Sequence, residues 1–173
     1  LAWHAGALQE VLAKRETGRS LMRLTSFTDF GLRLLMRMAG EPRLFTTEEL
    51  ACELKLSRNH LVKVVRELAR TGIVETRKGA GGGICLARPA SQISIGEVVR
   101  CLESRSALVE CFRTDGGQCN LLPSCKLRQR LAAAQEVFLA ELEKTTLAEC
   151  ALPSEWGPPK QGGPLGDIGE TAH

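Results

Sequence analysis

The chain has 173 residues, of which 43% are hydrophobic and 25% charged, as in an ordinary soluble globular protein. Its net charge of +3 is too small by itself to indicate nucleic-acid binding, and 4% aromatic residues without tyrosine argue against stacking of single-stranded nucleic acid. No apolar run approaches the ~18 residues of a membrane span, and no secretion signal is found. We therefore expect a cytoplasmic protein without a membrane partner. Its odd number of cysteines, seven, favours core residues, metal ligands or redox centres over disulfides.

Both ends of the chain differ in composition from its centre. Residues 1–21 are predicted to form a flexible N-terminal extension, to which we assign no function. Residues 151–173 are predicted to be a disordered tail, because the segment from Leu152 onward holds four of the seven prolines and no hydrophobic period. The folded unit is therefore expected over about residues 22–150.

The first two predicted elements of this unit are helices. Apolar residues from Phe27 to Ala39 recur at helical spacing, and the pattern stops before Pro42. Thr46 and Glu49 then form a capping-box pattern, which opens a second, short helix.

A third predicted helix begins after Ser57, its expected N-cap, and ends at Gly72. One face of it is predicted to be buried through Leu61, Val64 or Val65, and Leu68. Two short helices joined by a tight turn, the second with exposed polar residues, are typical of a helix-turn-helix.

The runs IVETRK and ICLAR follow, separated by the glycine-rich residues 79–83. They predict a β-hairpin, and a hairpin directly after a helix-turn-helix is a wing. The alternative is a phosphate-binding loop, which needs Lys-Ser/Thr and a helix after its last glycine. The strand-like residues Ile84, Cys85 and Leu86 stand there instead, so we favour the wing.

Ser94 and Glu97 form a second capping-box pattern, which opens a helix through Leu102. A long helix is predicted from Pro123, and its apolar stripe follows a complete small domain, so a partner subunit is expected to cover it. The stripe consists of Leu127, Leu131, Ala134, Phe138 and Leu142. The fold class is thus mainly α with a small β wing: a winged helix-turn-helix domain over residues 22–105, a cysteine loop over 106–126 and a dimerisation helix region over 123–150.

The positive charge of the chain is local. Residues 55–78 carry seven basic and two acidic side chains, a net charge of +5, which leaves −2 for the rest. This excess lies on the predicted second helix of the helix-turn-helix and on the wing, where a DNA-binding protein needs phosphate contacts. A solvated charged helix face is the alternative. The predicted contacts are Arg58, Asn59 and His60 to base edges, with Ser57 beside them, Lys63 and Arg66 to phosphates, and Arg77 and Lys78 to a minor groove.

Three of the cysteines, Cys111, Cys119 and Cys125, lie in one loop-like segment without a hydrophobic period. Soft thiolates gathered in this way suit an iron–sulfur cluster or zinc, although the segment offers no fourth Cys or His. A thiol redox switch or an inert loop is an equal alternative on spacing alone. Core packing is expected for Cys52, Cys85 and Cys101, because a free cysteine behaves as a small hydrophobe, while Cys150 has no clear place.

Five segments together resemble the Rrf2-type winged-helix regulators, and within them the nitric-oxide-sensing NsrR repressors. They are LTSFTDFGLRLLMRMA, SRNHLVKVV, RKGAGGGICLARP, ISIGEVVRCLE and the cysteine segment running into PSCKLRQRL. The resemblance covers about residues 22–150 and implies a homodimeric repressor that binds a palindromic promoter and responds to nitric oxide.

It also implies a [4Fe–4S] cluster held by Cys111, Cys119 and Cys125, with Asp29 of the partner subunit as fourth ligand. Arg33, one turn after Asp29, is then expected to hold that carboxylate in place. Without the resemblance, Asp29 would simply complement the dipole of its helix, with Ser26 as the cap.

Two alternatives share this fold: an iron-responsive regulator and a thiol-redox regulator. A [2Fe–2S] relative would have a histidine three residues after the last cysteine, where this chain has Arg128. An enzyme is not expected, and we predict no catalytic residues, because a catalytic cysteine needs a nearby histidine. His4 and His173 lie in the chain ends and His60 on the predicted DNA-facing helix.

Overall fold

A computed structural model describes residues 23–104, 106–121 and 124–153, and the predicted extension over 1–21 and most of the predicted tail lie outside them. The helices are α1 (Ser26–Gly40), α2 (Thr47–Leu54), α3 (Arg58–Arg70), α4 (Ile95–Leu102) and α5 (Lys126–Glu143). The strands are β1 (Val74–Arg77) and β2 (Gly83–Leu86), and 3-10 turns lie at Ala90–Gln92 and Glu110–Phe112. The prediction of a mainly helical fold with a small wing is confirmed.

The helix-turn-helix forms as its capping residues predict. Thr46 accepts a hydrogen bond from the backbone of Glu49 and the Glu49 carboxylate accepts one from the backbone of Thr46, which completes the predicted capping box. Lys55 ends α2 in the left-handed conformation, with φ of 52°. Ser57 has the extended backbone of an N-cap, but its side chain makes no capping hydrogen bond.

Helix α3 ends where the glycine predicts. Gly72 has φ of 72°, its N–H donates to the Ala69 carbonyl, and the next N–H, of Ile73, donates to the Leu68 carbonyl. This pair of bonds is the Schellman ending that a glycine just past a helix allows. Both Leu68 and Ile73 are fully buried, so the ending also directs the chain into the core and on to the wing.

The core lies where α1, α3 and α4 meet, with α2 and the wing packed at its edge. All four predicted apolar positions of α3 are buried, so Val64 and Val65 both enter the core rather than one of them. The wing strands are antiparallel, with Val74 opposite Leu86 and Arg77 opposite Gly83. Backbone hydrogen bonds of 2.8 and 2.9 Å join Ile84 to Phe45, which anchors the wing to the chain just before α2.

Helix α1 is capped by Thr25, whose hydroxyl accepts from the Thr28 N–H at 3.3 Å. Ser26 was the cap expected if Asp29 only complements the helix dipole, but it is the first helical residue instead. Beyond the last helix, the N–H of Leu152 donates to the Met36 carbonyl at 3.0 Å, so the described chain continues against α1 into the segment predicted as tail.

The long helix α5 begins at Lys126, three residues after the predicted start, and divides into two halves. Phe138 and Leu142 of its predicted stripe pack against the chain's own core, beside the buried Leu139. In the other half, Leu127 remains 63% exposed. The expectation that the stripe has nothing of its own domain to pack on is therefore wrong for its C-terminal half, because α4 lies against it.

Replacing Gly96 by alanine is expected to destabilise the protein by about 1–3 kcal/mol, since overpacking forces backbone to shift. A Cβ there would lie 2.8 Å from the Glu143 nitrogen and 2.8 Å from the Leu139 carbonyl oxygen, both backbone atoms of α5. Gly31→Ala is the matched control, because its Cβ would meet mainly the movable end of Leu102. Urea unfolding of both variants measures the difference, and equal midpoints would show that α4 and α5 are not in close contact.

Candidate nucleic-acid interface and cysteine loop

The predicted DNA-binding residues lie together on the surface formed by α3 and the wing, which we call the recognition face. All of them are exposed: Ser57, Arg58, Asn59, His60, Lys63, Arg66, Arg77 and Lys78. Within α3, Asn59, Lys63 and Arg66 lie on the side opposite its buried leucine and valine residues, while Arg77 and Lys78 belong to the wing. Basic side chains from two separate elements therefore form one patch, as phosphate binding requires.

The basic residues of this face differ in what they contact. Arg58 pairs with Glu48 at 2.5 Å, and both side chains are 62% exposed. Within the described part of the chain, Lys63, Arg66, Arg77 and Lys78 form no ion pair. These four side chains can bind phosphates without breaking an ion pair, whereas Arg58 must first break its ion pair with Glu48.

His60 is held by a residue that the sequence analysis did not assign to the site. Its ring stacks on that of Phe30 in α1, with 5.9 Å between ring centroids and an interplanar angle of 30°. Phe30 was expected only as part of the apolar stripe of α1. Stacking between residues of two helices cannot be predicted from the spacing of residues within one helix. The first turn of α3 is thus in direct contact with the first turns of α1.

Asp29 and Arg33 meet as their spacing of four residues allows. Arg33 donates through Nη2 to Oδ2 at 2.8 Å and through Nε to Oδ1 at 3.1 Å. The side chain of Arg33 is 53% exposed and that of Asp29 is 45% exposed. Arg33 therefore orients the Asp29 carboxylate, which remains accessible to solvent. The structure shows the contact between the two residues. That Asp29 binds a cluster and that Arg33 supports it there remain predictions.

The cysteine loop is shaped by glycines and by carboxylates that bind its backbone. Gly116 and Gly117 have φ of 77° and 60°, which favours glycine. The Glu110 carboxylate accepts from the Gln118 N–H at 3.1 Å, and Asp115 accepts from the Gly117 N–H at 3.0 Å. Arg113 pairs with Asp115 and, together with that N–H, holds the pKa of this carboxyl below its ordinary value.

The three cysteines of this loop are half-buried free thiols. Cys111 lies in the 3-10 turn Glu110–Phe112, and Cys125 is the N-cap residue of α5, without a side-chain capping bond. Cysteine thiolates are the usual ligands of iron–sulfur clusters, so the donor set fits the chemistry of a cluster. Among the described residues, however, no three Cys, His, Asp or Glu side chains stand in metal-binding geometry. The ligand set Cys111, Cys119, Cys125 and Asp29 therefore remains a prediction.

Glu103, at the end of α4, is a second residue that the sequence analysis missed. Its carboxylate accepts hydrogen bonds from the Thr25 N–H at 2.7 Å and from the Thr25 hydroxyl at 2.9 Å. Desolvation acts to raise its pKa, but the hydrogen bonds from Thr28, Thr25 and Ser106 outweigh it and hold the pKa below the ordinary value. The end of α4 is thereby fastened to the cap of α1.

The remaining cysteines differ from expectation in one place. Cys52 is exposed on α2, so the prediction of core packing is wrong for it, because it lies on the outer face of that helix. Cys101 packs against the core, with its sulfur 3.3 Å from the Thr71 hydroxyl, and Cys150 packs there too. Cys85 is half-buried in β2.

Comparison with known proteins places the chain in a family. Residues 24–151 match the family model described as Rrf2, iron-dependent transcriptional regulator. The chain belongs to the Rrf2 family. Its members are DNA-binding transcriptional regulators rather than enzymes. None of the helices that the structure describes is long and apolar enough to cross a membrane.

Solved structures of other regulators share the fold of this Rrf2 protein. The oxidized form of Staphylococcus aureus CymR is 25% identical, with 79% of this chain and 99% of that one covered and a TM-score of 0.55. CymR (YrzC), the global cysteine regulator of B. subtilis, is 22% identical, with 76% and 97% covered and a TM-score of 0.59. IscR of T. potens is 21% identical, with 75% and 85% covered and a TM-score of 0.57. The last two support the fold alone.

Proposed function

We propose that this Rrf2 protein is a cytoplasmic, homodimeric repressor that binds a palindromic promoter through the recognition face. The observation that carries the proposal is the exposed basic patch, to which both α3 and the wing of a winged helix-turn-helix contribute cations. In such folds, the second helix enters the major groove with its N-terminal residues on the base edges. Arg58, Asn59 and His60 occupy that turn here.

A second copy of the chain is the proposed partner of α5. Two recognition helices must lie about 34 Å apart to enter successive major grooves, so DNA binding depends on a fixed dimer geometry. Helix α5 offers apolar surface for it in both halves, since Leu127 near its start is 63% exposed and Val137 in its C-terminal half is 71% exposed. Between them they offer a partner apolar contacts about 15 Å apart along one helix.

Leu127→Glu is expected to convert the dimer into a monomer, because a carboxylate would have to be desolvated between two subunits. Gln129→Glu is the matched control: it adds the same charge two residues away, about 200° around the helix, and Gln129 is also exposed. Sedimentation velocity distinguishes monomer from dimer for both. If Leu127→Glu sediments like the unsubstituted chain, α5 is not the dimer contact.

The proposed signal is nitric oxide, sensed through a [4Fe–4S] cluster held by Cys111, Cys119, Cys125 and Asp29 of the partner subunit. When bound, the cluster would supply iron that reacts with nitric oxide. The chain's part is to present the ligands: the thiols from the cysteine loop, and the carboxylate from α1, where Arg33 holds it in a bidentate pair. A carboxylate is a hard, weak ligand for such a centre and is the one most easily exchanged.

A thiol-redox or iron-responsive regulator is the second candidate. It is favoured by the free, half-buried thiols of the cysteine loop and by the absence of metal-binding geometry among the described residues. The similarity to S. aureus CymR, whose structure was determined in an oxidized form, also supports a redox signal. Both candidates share the recognition face and the dimer.

Anaerobic purification with absorbance, iron and sulfide analysis tests the cluster. DNA for the assay is a duplex that the purified protein selects from a random-sequence library. Release of this duplex by nitric oxide, but not by peroxide or an iron chelator, is expected for the nitric-oxide sensor. Release by peroxide from a colourless protein supports the thiol switch, and release by the chelator alone supports the iron sensor. A protein that selects no duplex overturns the DNA-binding proposal itself.

A further inference from the structure

We infer that Glu103 is a positioning residue for DNA recognition. It fixes the first turn of α1, and Phe30 of that helix, which stacks on His60, thereby sets the position of the first turn of α3. The inference rests on the proposed role of α3 as the DNA-reading helix. It concerns contacts within one chain, so it holds whichever signal the cysteine loop receives.

The first step joins the cysteine loop to α1 through one residue. The N–H of Glu103 donates to the Val99 carbonyl at 2.9 Å, which places it at the end of α4. Its carbonyl accepts from the N–H of Ser106, the first residue of the cysteine loop, at 2.8 Å. Its carboxylate holds both donors of Thr25. The backbone of Glu103 is therefore hydrogen-bonded to the loop while its side chain is hydrogen-bonded to the cap of α1.

The second step makes the start of α1 a rigid unit. The hydroxyls of Thr25 and Thr28 lie 3.1 Å apart, and Thr28 is fully buried. Gly31 brings this part of α1 against the core, because a Cβ there would lie 2.3 Å from Leu102 and 3.4 Å from Val64. A change at Glu103 cannot be absorbed by a loose helix end, since the cap and the next turn are packed and hydrogen-bonded.

The third step reaches the recognition face. Phe30 lies between Thr28 and Gly31, and its ring stacks on that of His60, the third residue of α3. Arg58 and Asn59 precede His60 in the same turn, so the orientation of this turn decides whether they meet the bases. Because effective contacts tolerate displacements of only about 1 Å, a small tilt of α1 suffices to weaken DNA binding.

Glu103→Ala and Glu103→Gln distinguish positioning from a general loss of stability. Glutamine keeps a carbonyl oxygen that accepts from Thr25, whereas alanine removes the acceptor. The first readout needs no DNA: stacking on Phe30 shifts the ring-proton NMR signals of His60 upfield. We expect this shift to be reduced in Glu103→Ala, retained in Glu103→Gln and abolished in Phe30→Leu, which keeps the apolar contact but not the ring.

The second readout is affinity for the selected duplex, with folding verified by urea unfolding. Glu103→Ala is expected to lose roughly 10-fold, as for a hydrogen bond to a charged group, and Glu103→Gln to bind nearly as well as the unsubstituted chain. The losses of Glu103→Ala and Phe30→Leu should not add in the double variant, because both act through one contact.

Two results would overturn the inference: an unchanged His60 signal in Glu103→Ala, or additive losses in the double variant. Failure of the proposed function would give a different result: the unsubstituted chain would select no duplex. The NMR signals of His60 would still show whether Glu103 affects α3. Normal selection together with equal binding by Glu103→Ala would remove the inference and leave the proposed function standing.

Discussion

Replacing Lys63 and Arg66 together by alanine is expected to weaken duplex binding by 10-fold or more and to flatten its dependence on salt. Each phosphate contact contributes about 0.9 to the slope of log K against log salt concentration, so losing two reduces the slope by about 1.8. Both residues are exposed on α3 and form no ion pair among the described residues, so neither substitution disturbs the fold. Binding of the selected duplex at several salt concentrations measures the slope.

The matched control removes two positive charges from another helix. Lys126 and Arg130 of α5 are exposed as well, and the net charge falls by the same amount when both become alanine. This control is expected to retain nearly the whole slope, because only charges in contact with phosphates release counterions. Equal loss in both double variants would mean that DNA responds to the total charge of the protein, and the recognition face would then be wrongly assigned.

Much of the fold follows from local sequence signals. Caps and glycines act within a few residues, which is why Thr46 and Gly72 predicted the start of α2 and the end of α3 correctly. The cap of α1 depends on a contact between residues that are far apart in sequence. Thr25 and Ser26 are adjacent residues with the same capping chemistry, and only the contact with Glu103 distinguishes them. The start of α5 was predicted at Pro123, three residues before its observed start at Lys126.

The candidate site was predictable only in part, for a reason of distance along the chain. The basic residues of α3 and the wing are close in sequence, so their common surface could be inferred from helical spacing. The contact of Thr25 with Glu103 joins residues 78 positions apart, and that of Phe30 with His60 joins two helices. The hydrophobic periodicity of a single helix does not predict contacts of this kind. The burial of Phe138 by α4 escaped prediction for the same reason, since an apolar stripe does not reveal what covers it.

The largest effect on stability is expected at a charged residue inside the fold. Arg37 of α1 is only 3% exposed, and its Nε donates to Glu53 of α2 at 2.7 Å. Its Nη2 donates to Glu41 at 2.8 Å, and its guanidinium lies 4.9 Å from the centre of the Phe45 ring. Its Nη1 has no hydrogen-bond partner among the described residues. This side chain therefore links α1 to α2 by a charged hydrogen bond.

Arg37→Met is expected to cost about 3 kcal/mol, because it removes the hydrogen bond of a buried guanidinium to the Glu53 carboxylate together with its contact on the Phe45 ring. The double variant Arg37→Met/Glu53→Leu should recover most of that loss, since an apolar pair of similar volume needs no counter-charge. Arg70→Met removes a 63% exposed partner of Glu67 and should leave the urea midpoint almost unchanged. If the double variant is no more stable than Arg37→Met, then packing on Phe45 rather than charge explains the loss.

The same network predicts how stability responds to acid. Arg37 and Arg43 hold the pKa of Glu41 below its ordinary value, and Arg43 does so for Glu49. A carboxyl group whose pKa is lower in the folded than in the unfolded chain stabilises the fold. This stabilisation is complete above the pKa of the unfolded chain, near 4.5, and is lost as the pH falls through the pKa of the folded chain. Of the two carboxylates only Glu41 is paired with Arg37, so the difference in unfolding free energy between the unsubstituted chain and Arg37→Met should be full at pH 7 and shrink below pH ~4.5 as Glu41 is protonated. A difference independent of pH would mean that Arg37 stabilises the fold through packing alone.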